Sequence, residues 1–142
     1  MEEPTIPEDY SGHNRILVEG GVPISAGENL HTIYDFQHML QANGVSYIEP
    51  DVSNCGGITV WMKVAKLAEA KNLPVTSHGV HDIHVHLLGA VPNASYLEVH
   101  GFGLERFILE PLVVKDGFAL AGEAPGHGID FNWDGLCAHT SD

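Results

Sequence analysis

The stretch VSYIEPD, residues 45–51, is a short apolar run that ends in a carboxylate. Downstream, the stretch PVTSH at residues 74–78 is a similar run that ends in an imidazole. Polar side chains close such runs along the chain at intervals of 26, 23, 27 and 20 positions: Glu2, Glu28, Asp51, His78 and Glu98. A strand, a loop, a helix and a return loop need a spacing of this size. The spacing therefore predicts βα units whose polar groups gather at one rim of a parallel sheet.

Segments with helical periodicity separate these runs. The pattern predicts helices over residues 7–20, 30–42, 58–72 and 82–90, and strands over residues 22–28, 45–51, 74–78 and 96–100. This alternation predicts an α/β fold, in the form of a (β/α)8-type, TIM-like barrel. A complete barrel of this type takes about 250 residues, whereas the chain has 142. We therefore expect the C-terminal part of a barrel, incomplete, from a longer protein.

The end of the sequence has a different character. Asp116-Gly117 between two apolar triplets predicts a β-hairpin over residues 112–120. We therefore divide the chain into residues 1–103, the C-terminal half of the barrel, and residues 104–142, a tail that packs on the barrel or on a missing capping domain. Unpaired sheet edges are expected at residues 22–28 and 96–100, and such edges favour self-association.

Composition excludes several classes of partner. The net charge is −13 with only six Lys and Arg residues, so nucleic acid and anionic membranes are not expected as partners. Two cysteines supply neither zinc-site spacing nor a disulfide framework. The sequence has neither a signal-peptide pattern nor an apolar run long enough to cross a membrane. These features predict a soluble cytoplasmic protein.

The carboxylates of Glu2 and Glu28 end consecutive strands, so they are expected to converge. Two adjacent carboxylates repel each other unless a cation or an Arg lies between them. Oxygen ligands without cysteine favour Mg²⁺, with Mn²⁺ possible, over zinc. The alternative is that each Glu only caps the helix that follows its strand. Glu3 is expected to point the opposite way from Glu2 and to be structural.

Asp51 and His78 end the next two strands. A carboxylate that accepts the imidazole N–H fixes its tautomer and raises its basicity, which gives a general acid/base near neutral pH. A buried structural pair is the alternative. Glu98, one strand further, is expected either to hydrogen-bond a substrate oxygen or to form a salt bridge with a residue in the missing half of the barrel.

Several motifs together resemble the enolase superfamily, and specifically its mandelate-racemase-like subgroup. They occur in order over nearly the whole chain: Met1-Glu2-Glu3-Pro4, Gly27-Glu28-Asn29, Pro50-Asp51 with Gly56-Gly57-Ile58-Thr59, Ser77-His78, and Pro125-Gly126-His127-Gly128-Ile129. The resemblance implies that Glu2 and Glu28 are two of three Mg²⁺ ligands and that Asp51 and His78 are the catalytic dyad. It also implies that Glu98 stabilises the enolate or orients the substrate.

The resemblance implies an enzyme that removes the proton α to a carboxylate while Mg²⁺ stabilises the enediolate. Dehydration of a sugar acid is the first expectation, and racemisation or cycloisomerisation of a hydroxy acid is the second. A non-catalytic domain that binds metal or a partner is a third. The substrate would be a small carboxylate, and the parent protein is expected to be a homo-oligomer. The third metal ligand and a Lys base of the family lie on earlier strands, so the isolated chain is expected to be inactive.

Two further groups of polar residues carry weaker expectations. The run that contains His78, His81, His84 and His86 resembles a transition-metal site, but only His78 ends a strand, so a second metal site in this run is not favoured. Glu49 lies two residues before Asp51 on the same strand face and is expected to point into the barrel beneath the site.

Overall fold

The computed structural model describes residues 1–101 and 103–139. Helices and short strands alternate along the first part of the chain: α1 (Tyr10–Gly20), β1 (Ser25–Ala26), α2 (Ile33–Gln41), β2 (Tyr47–Ile48), α3 (Ile58–Ala70) and α4 (His81–Gly89). The second part contains a 3₁₀ helix and three further elements: Leu104–Phe107, β3 (Val113–Lys115), β4 (Phe118–Leu120) and α5 (Trp133–Cys137). The four helices predicted before residue 91 are all present.

The parallel sheet follows the order of the chain. Strand β1 pairs in parallel with β2, and single parallel pairs extend this sheet on both sides, from Glu2 to Ser25, from Ile48 to Val75 and from Val75 to Ala94. Residues 22–28 thus have neighbours on both sides, so the sheet edge expected there is wrong. Among the described residues, the outermost segments of the sheet are those of Glu2 and Ala94.

The sheet segments are shorter than the sequence predicts. Backbone pairing at the last one is centred on Ala94, and residues 96–100 are not a regular strand. Beyond the pairing at Ala94, hydrogen bonds between side-chain hydroxyls and the backbone replace backbone–backbone pairing. The Thr76 hydroxyl donates to the Tyr96 carbonyl at 2.7 Å, and Ser77 Oγ accepts the Glu98 N–H at 3.2 Å. The chain therefore stays beside its neighbour without a continued backbone ladder.

The core lies between the sheet and the helices. Phe36 and Met39 on α2, Trp61 on α3 and Ile48 on β2 are fully buried. The Trp61 indole also donates to the Pro50 carbonyl at 3.0 Å, just before Asp51. Helix α3 is thereby fixed to the end of the strand that carries a site residue.

Helix α2 begins with a reciprocal cap. Thr32 Oγ1 accepts the Asp35 N–H, and the Asp35 carboxylate accepts the Thr32 N–H at 2.9 Å. This capping box satisfies backbone donors that have no partner inside the helix. Because α2 packs against α3, its starting point helps to place both helices.

The predicted hairpin is present as β3 and β4, which pair antiparallel from Val113–Leu120 to Lys115–Phe118. Asp116 and Gly117 have φ values of 52° and 81°, the left-handed conformation that two-residue hairpin turns require. Nearby, the Leu112 N–H donates to Asp82 on α4 at 3.1 Å. The domain division at residue 103 stays a prediction. Among the described residues, no helix has both the length and the apolar character that a membrane crossing demands.

Candidate active site

The His78 imidazole lies between two carboxylates from different βα units. Its Nδ1 is 3.0 Å from Asp51 Oδ2, and its Nε2 is 2.7 Å from Glu28 Oε2. The His78 side chain is 22% exposed and that of Asp51 only 5%, so solvent reaches the imidazole more readily than the carboxylate. The sheet therefore brings three of the predicted site residues into direct contact.

Local hydrogen bonds hold Asp51 in a fixed orientation. Its Oδ1 accepts both the backbone N–H and the hydroxyl of Ser53, each at 2.7 Å, which leaves Oδ2 for His78. Burial alone would raise the pKa of Asp51, but the bonds from Ser53 and His78 outweigh it and lower that pKa. Asp51 is therefore an anion that orients the imidazole.

The acidic surroundings of His78 favour its charged form. Burial lowers the pKa of His78, but the hydrogen bond to Asp51 and the charges of Glu28 and Glu98 raise it, and the net direction is upward. An imidazole in this setting therefore holds a proton more strongly than one in water.

Glu2 and Glu28 approach each other closely, as predicted. The pKa of Glu28 is raised, first by burial and then by a side-chain hydrogen bond with Glu2 and the charges of Glu3 and Glu2, although His78 lowers it. Two neighbouring carboxylates repel each other, and a hard cation between them removes that repulsion. This oxygen-rich arrangement fits Mg²⁺.

Glu3 does not point away from the site, so that expectation is wrong. Its carboxylate accepts the Asn29 side-chain amide at 2.7 Å and the Gly27 N–H at 3.3 Å. The φ of Glu3 is +35°, and strand alternation applies only to extended backbone. Glu3 thus holds the loop that carries Glu28, which agrees with the structural role predicted for it.

Glu98 reaches the same region from the last sheet segment. Its Oε2 accepts the Gly79 N–H at 3.1 Å and lies 2.6 Å from His100 Nε2. The His100 ring meets the His78 ring edge-on, with centroids 5.0 Å apart. Sequence reasoning missed His100, although its position two residues after Glu98 was a signal that the two could share one face.

Glu49, two residues before Asp51, is 6% exposed. It accepts the Ser25 hydroxyl. Burial raises the pKa of Glu49 to about 7, and Glu2, Glu98 and Glu28 add to the rise while Ser25 opposes it. A cavity of about 340 Å³ borders Glu49, Glu2 and Glu98.

His84, on α4, is a second residue whose role the sequence did not show. It is fully buried, its Nε2 accepts the Val52 N–H at 3.0 Å, and its Nδ1 lies 3.0 Å from the Gly79 carbonyl. Because Nε2 is an acceptor, Nδ1 carries the hydrogen and donates to Gly79. The imidazole therefore connects the loop after Asp51 to the loop after His78.

Comparisons with known proteins agree with this geometry. The family model described as "Enolase C-terminal domain-like" matches residues 1–135. The chain belongs to this family. The resemblance stated from the motifs and the predicted incomplete α/β barrel are thereby confirmed.

The relatives of the chain are larger enzymes. It is 52% identical over 136 residues to 3,6-anhydro-alpha-L-galactonate cycloisomerase of Streptomyces coelicolor, and the match covers 96% of this chain and 38% of that protein. A crystal structure of a racemase from Streptomyces coelicolor A3(2) with bound magnesium has 49% identity and a TM-score of 0.91, with coverage of 96% and 38%.

A third relative is a dehydratase. The structure of L-talarate dehydratase from Polaromonas sp. JS666, complexed with Mg and L-glucarate, has 31% identity and a TM-score of 0.89, with coverage of 99% of this chain and 39% of the other. The chain thus spans about two fifths of the length of these relatives.

Proposed function

We propose that this chain supplies the acid/base half of an active site that removes the proton α to the carboxylate of a sugar acid. The contact of Asp51 with His78, beside the Glu2–Glu28 pair, is the observation that carries this proposal. Asp51 orients the imidazole through Nδ1, and Nε2 faces Glu28 of the carboxylate pair at 2.7 Å, which supports a role for His78 beside a bound cation. The same contacts argue against a non-catalytic domain.

The two imidazole nitrogens would have separate tasks. Nδ1–H donates to Asp51, which fixes the tautomer and stabilises the imidazolium when it forms. Nε2 is the nitrogen that exchanges a proton with the substrate, since it points toward Glu28 and away from Asp51. Glu98 would bind a substrate oxygen from the adjoining sheet segment.

Glu2 and Glu28 would hold Mg²⁺, and Mn²⁺ satisfies the same donor set. When bound, the ion would neutralise negative charge on the substrate carboxylate. Two ligands fall short of the usual octahedral set, so the remaining positions belong to water, substrate or a ligand outside this chain.

Dehydration of the sugar acid is one outcome of this chemistry. After the α-proton is removed, His78 in its protonated form would deliver a proton to the β-hydroxyl as it leaves. The same proton delivered to a ring ether oxygen would open a ring instead. The cycloisomerase relative at 52% identity favours this second outcome, and we keep it as the alternative.

A domain exchange tests the proposal, because the chain spans only 38% of the cycloisomerase. The matching 136-residue segment of the Streptomyces enzyme would be replaced by this chain, and exchange of the substrate α-proton with D2O would be followed by NMR. We expect exchange that depends on Mg²⁺.

The variant His78→Asn in this hybrid should lower the exchange rate or turnover by about 10²- to 10⁴-fold, since it removes a general acid/base. His31→Asn, the same change at an exposed histidine, is the control and should have no effect. Unchanged rates in a folded His78→Asn hybrid would refute the assigned role.

A further inference from the structure

We propose that His78, Glu98 and His100 form a binding site for a transition-metal ion of the Zn²⁺ class, distinct in its ligands from the Glu2–Glu28 pair. One ligand atom from each of the three residues lies within 4.8 Å of the other two. Their side chains are 22%, 32% and 20% exposed, so all three border solvent, and the Nε2 atom of His100 itself lies beneath that surface.

Backbone contacts hold two of the three ligands in place before any ion binds. Glu98 accepts the Gly79 N–H through Oε2, and its own N–H donates to Ser77 Oγ. The His100 N–H lies 3.3 Å from His81 Nδ1. The loop after His78 therefore fixes the segment 98–100 against it. Because Nδ1 of His78 is bonded to Asp51, Nε2 is the nitrogen that would bind the ion, and it would exchange its contact with Glu28 for the metal.

The donor set decides the class of ion. Two imidazole nitrogens and one carboxylate oxygen form a three-ligand zinc set with one position left open. Mg²⁺ prefers oxygen ligands, whereas imidazole suits Zn²⁺, Co²⁺ and Ni²⁺. The ion would displace the hydrogen that joins Glu98 Oε2 to His100 Nε2, whose separation is 2.6 Å.

The metal-site proposal does not depend on the proposed function. The two sites nevertheless share one residue, His78. A nitrogen lone pair that is bound to a metal cannot accept a proton. Zn²⁺ at this site would therefore withdraw His78 from acid/base chemistry, even while Mg²⁺ occupies the carboxylate pair.

Cobalt binding to the 142-residue chain tests the proposal directly. Co²⁺ would be titrated in excess Mg²⁺, with its visible d–d absorption as the readout and Zn²⁺ added afterwards as the competitor. We expect one four-coordinate Co²⁺ spectrum per chain that Zn²⁺ abolishes. His100→Gln should weaken this binding at least about tenfold.

Two control variants make the result decisive. His31→Gln alters an exposed histidine elsewhere and should leave the spectrum unchanged. Glu2→Gln removes a ligand of the carboxylate pair only and should also leave it unchanged. If His100→Gln fails to fold by circular dichroism, Glu98→Gln replaces it as the test. Equal Co²⁺ binding in wild type and the folded test variant, or loss of binding in Glu2→Gln alone, would overturn the proposal.

Discussion

Gly79 lies where the loop after His78 passes over Asp51. Its φ is +61°, and a Cβ at this position would be 2.9 Å from Asp51 Oδ2, the atom that binds His78. Gly79→Ala should therefore destabilise the chain by about 1–2 kcal/mol, the cost of a left-handed backbone for an L-residue. It should also displace the Asp51 carboxylate from the imidazole. Urea unfolding would measure the first effect, and the ¹⁵N chemical shifts of the His78 ring the second.

Gly89 provides the control for this substitution. It ends α4, and a Cβ there would meet no atom within 4 Å among the described residues. Gly89→Ala should be neutral or slightly stabilising, because alanine restricts the unfolded chain more than glycine does. Equal stability of the two variants would show that Gly79 is not constrained.

His84 gives the stability of the chain a predictable dependence on pH. Burial lowers the pKa of this imidazole below its ordinary value of 6.5. A histidine whose pKa is lower in the folded than in the unfolded state binds protons preferentially when unfolded. Its contribution to stability is therefore complete above about pH 6.5 and is lost as the pH falls below that value.

The variant His84→Gln isolates this contribution. Glutamine keeps an acceptor for the Val52 N–H but does not titrate, so the variant should be less stable at pH 7.5 and should lose less stability between pH 6.5 and 5. Free energies of unfolding at several pH values would measure both quantities. The control is His38→Gln, on the surface of α2. Parallel pH profiles for wild type and His84→Gln would contradict the prediction.

At the scale of elements, the start of α2 is open to a direct test. Thr32→Ala removes the side-chain oxygen that accepts the Asp35 N–H, so it should cost about 1 kcal/mol of stability. Thr59→Ala, an exposed position in the first turn of α3, is the matched control and should be neutral or better because alanine favours helix. Chemical denaturation would compare the two. A loss of similar size in both variants would show that the cost does not come from the cap.

Helices were more predictable from the sequence than strands for a physical reason. The apolar side chains of α2 and α3 repeat with the helix period, so their positions follow from burial on one face. An apolar run does not reveal how many of its residues join the ladder, and β1 and β2 have only two residues each. The apolar pattern predicts a strand over residues 96–100, but the hydroxyls of Thr76 and Ser77 replace the backbone pairing there.

The residues at the strand-end rim also differ in how well the sequence predicts their positions. Glu2, Glu28, Asp51 and His78 were predictable because strand ends of a parallel sheet share one rim. The direction of Glu3 was not, because a positive φ breaks the alternation of side chains. The role of His84 depends on contacts with two loops distant in sequence, which a helical pattern cannot indicate. His100 was predictable in principle from its spacing to Glu98.

For the whole molecule, Glu2 and Glu28 connect separate parts of the chain. A cation held by both would bind the folded chain and not the unfolded one, so Mg²⁺ should raise the free energy of unfolding. The gain is about 0.4 kcal/mol when the Mg²⁺ concentration equals the dissociation constant. Thermal unfolding with increasing MgCl2, followed by removal with EDTA, would measure it.

Glu28→Gln should abolish this Mg²⁺-dependent gain. Glu19→Gln, the same change on the exposed end of α1, should preserve it and controls for ionic strength. The same rise in melting temperature in both variants would mean that Mg²⁺ acts through general screening of the charge of −13. Self-association of the chain, homo-oligomer formation by its parent and a cytoplasmic location stay predictions.

The connection made by His84 also has a consequence for motion. Opening of the loop after Asp51 would break the bond from the Val52 N–H, and opening of the loop after His78 would break the bond to the Gly79 carbonyl. Since one ring holds both, the two loops should open together as a single cooperative unit. The amide hydrogen of Val52 would then exchange with solvent only through that joint event, and its protection would report the lifetime of the assembled Asp51–His78 pair.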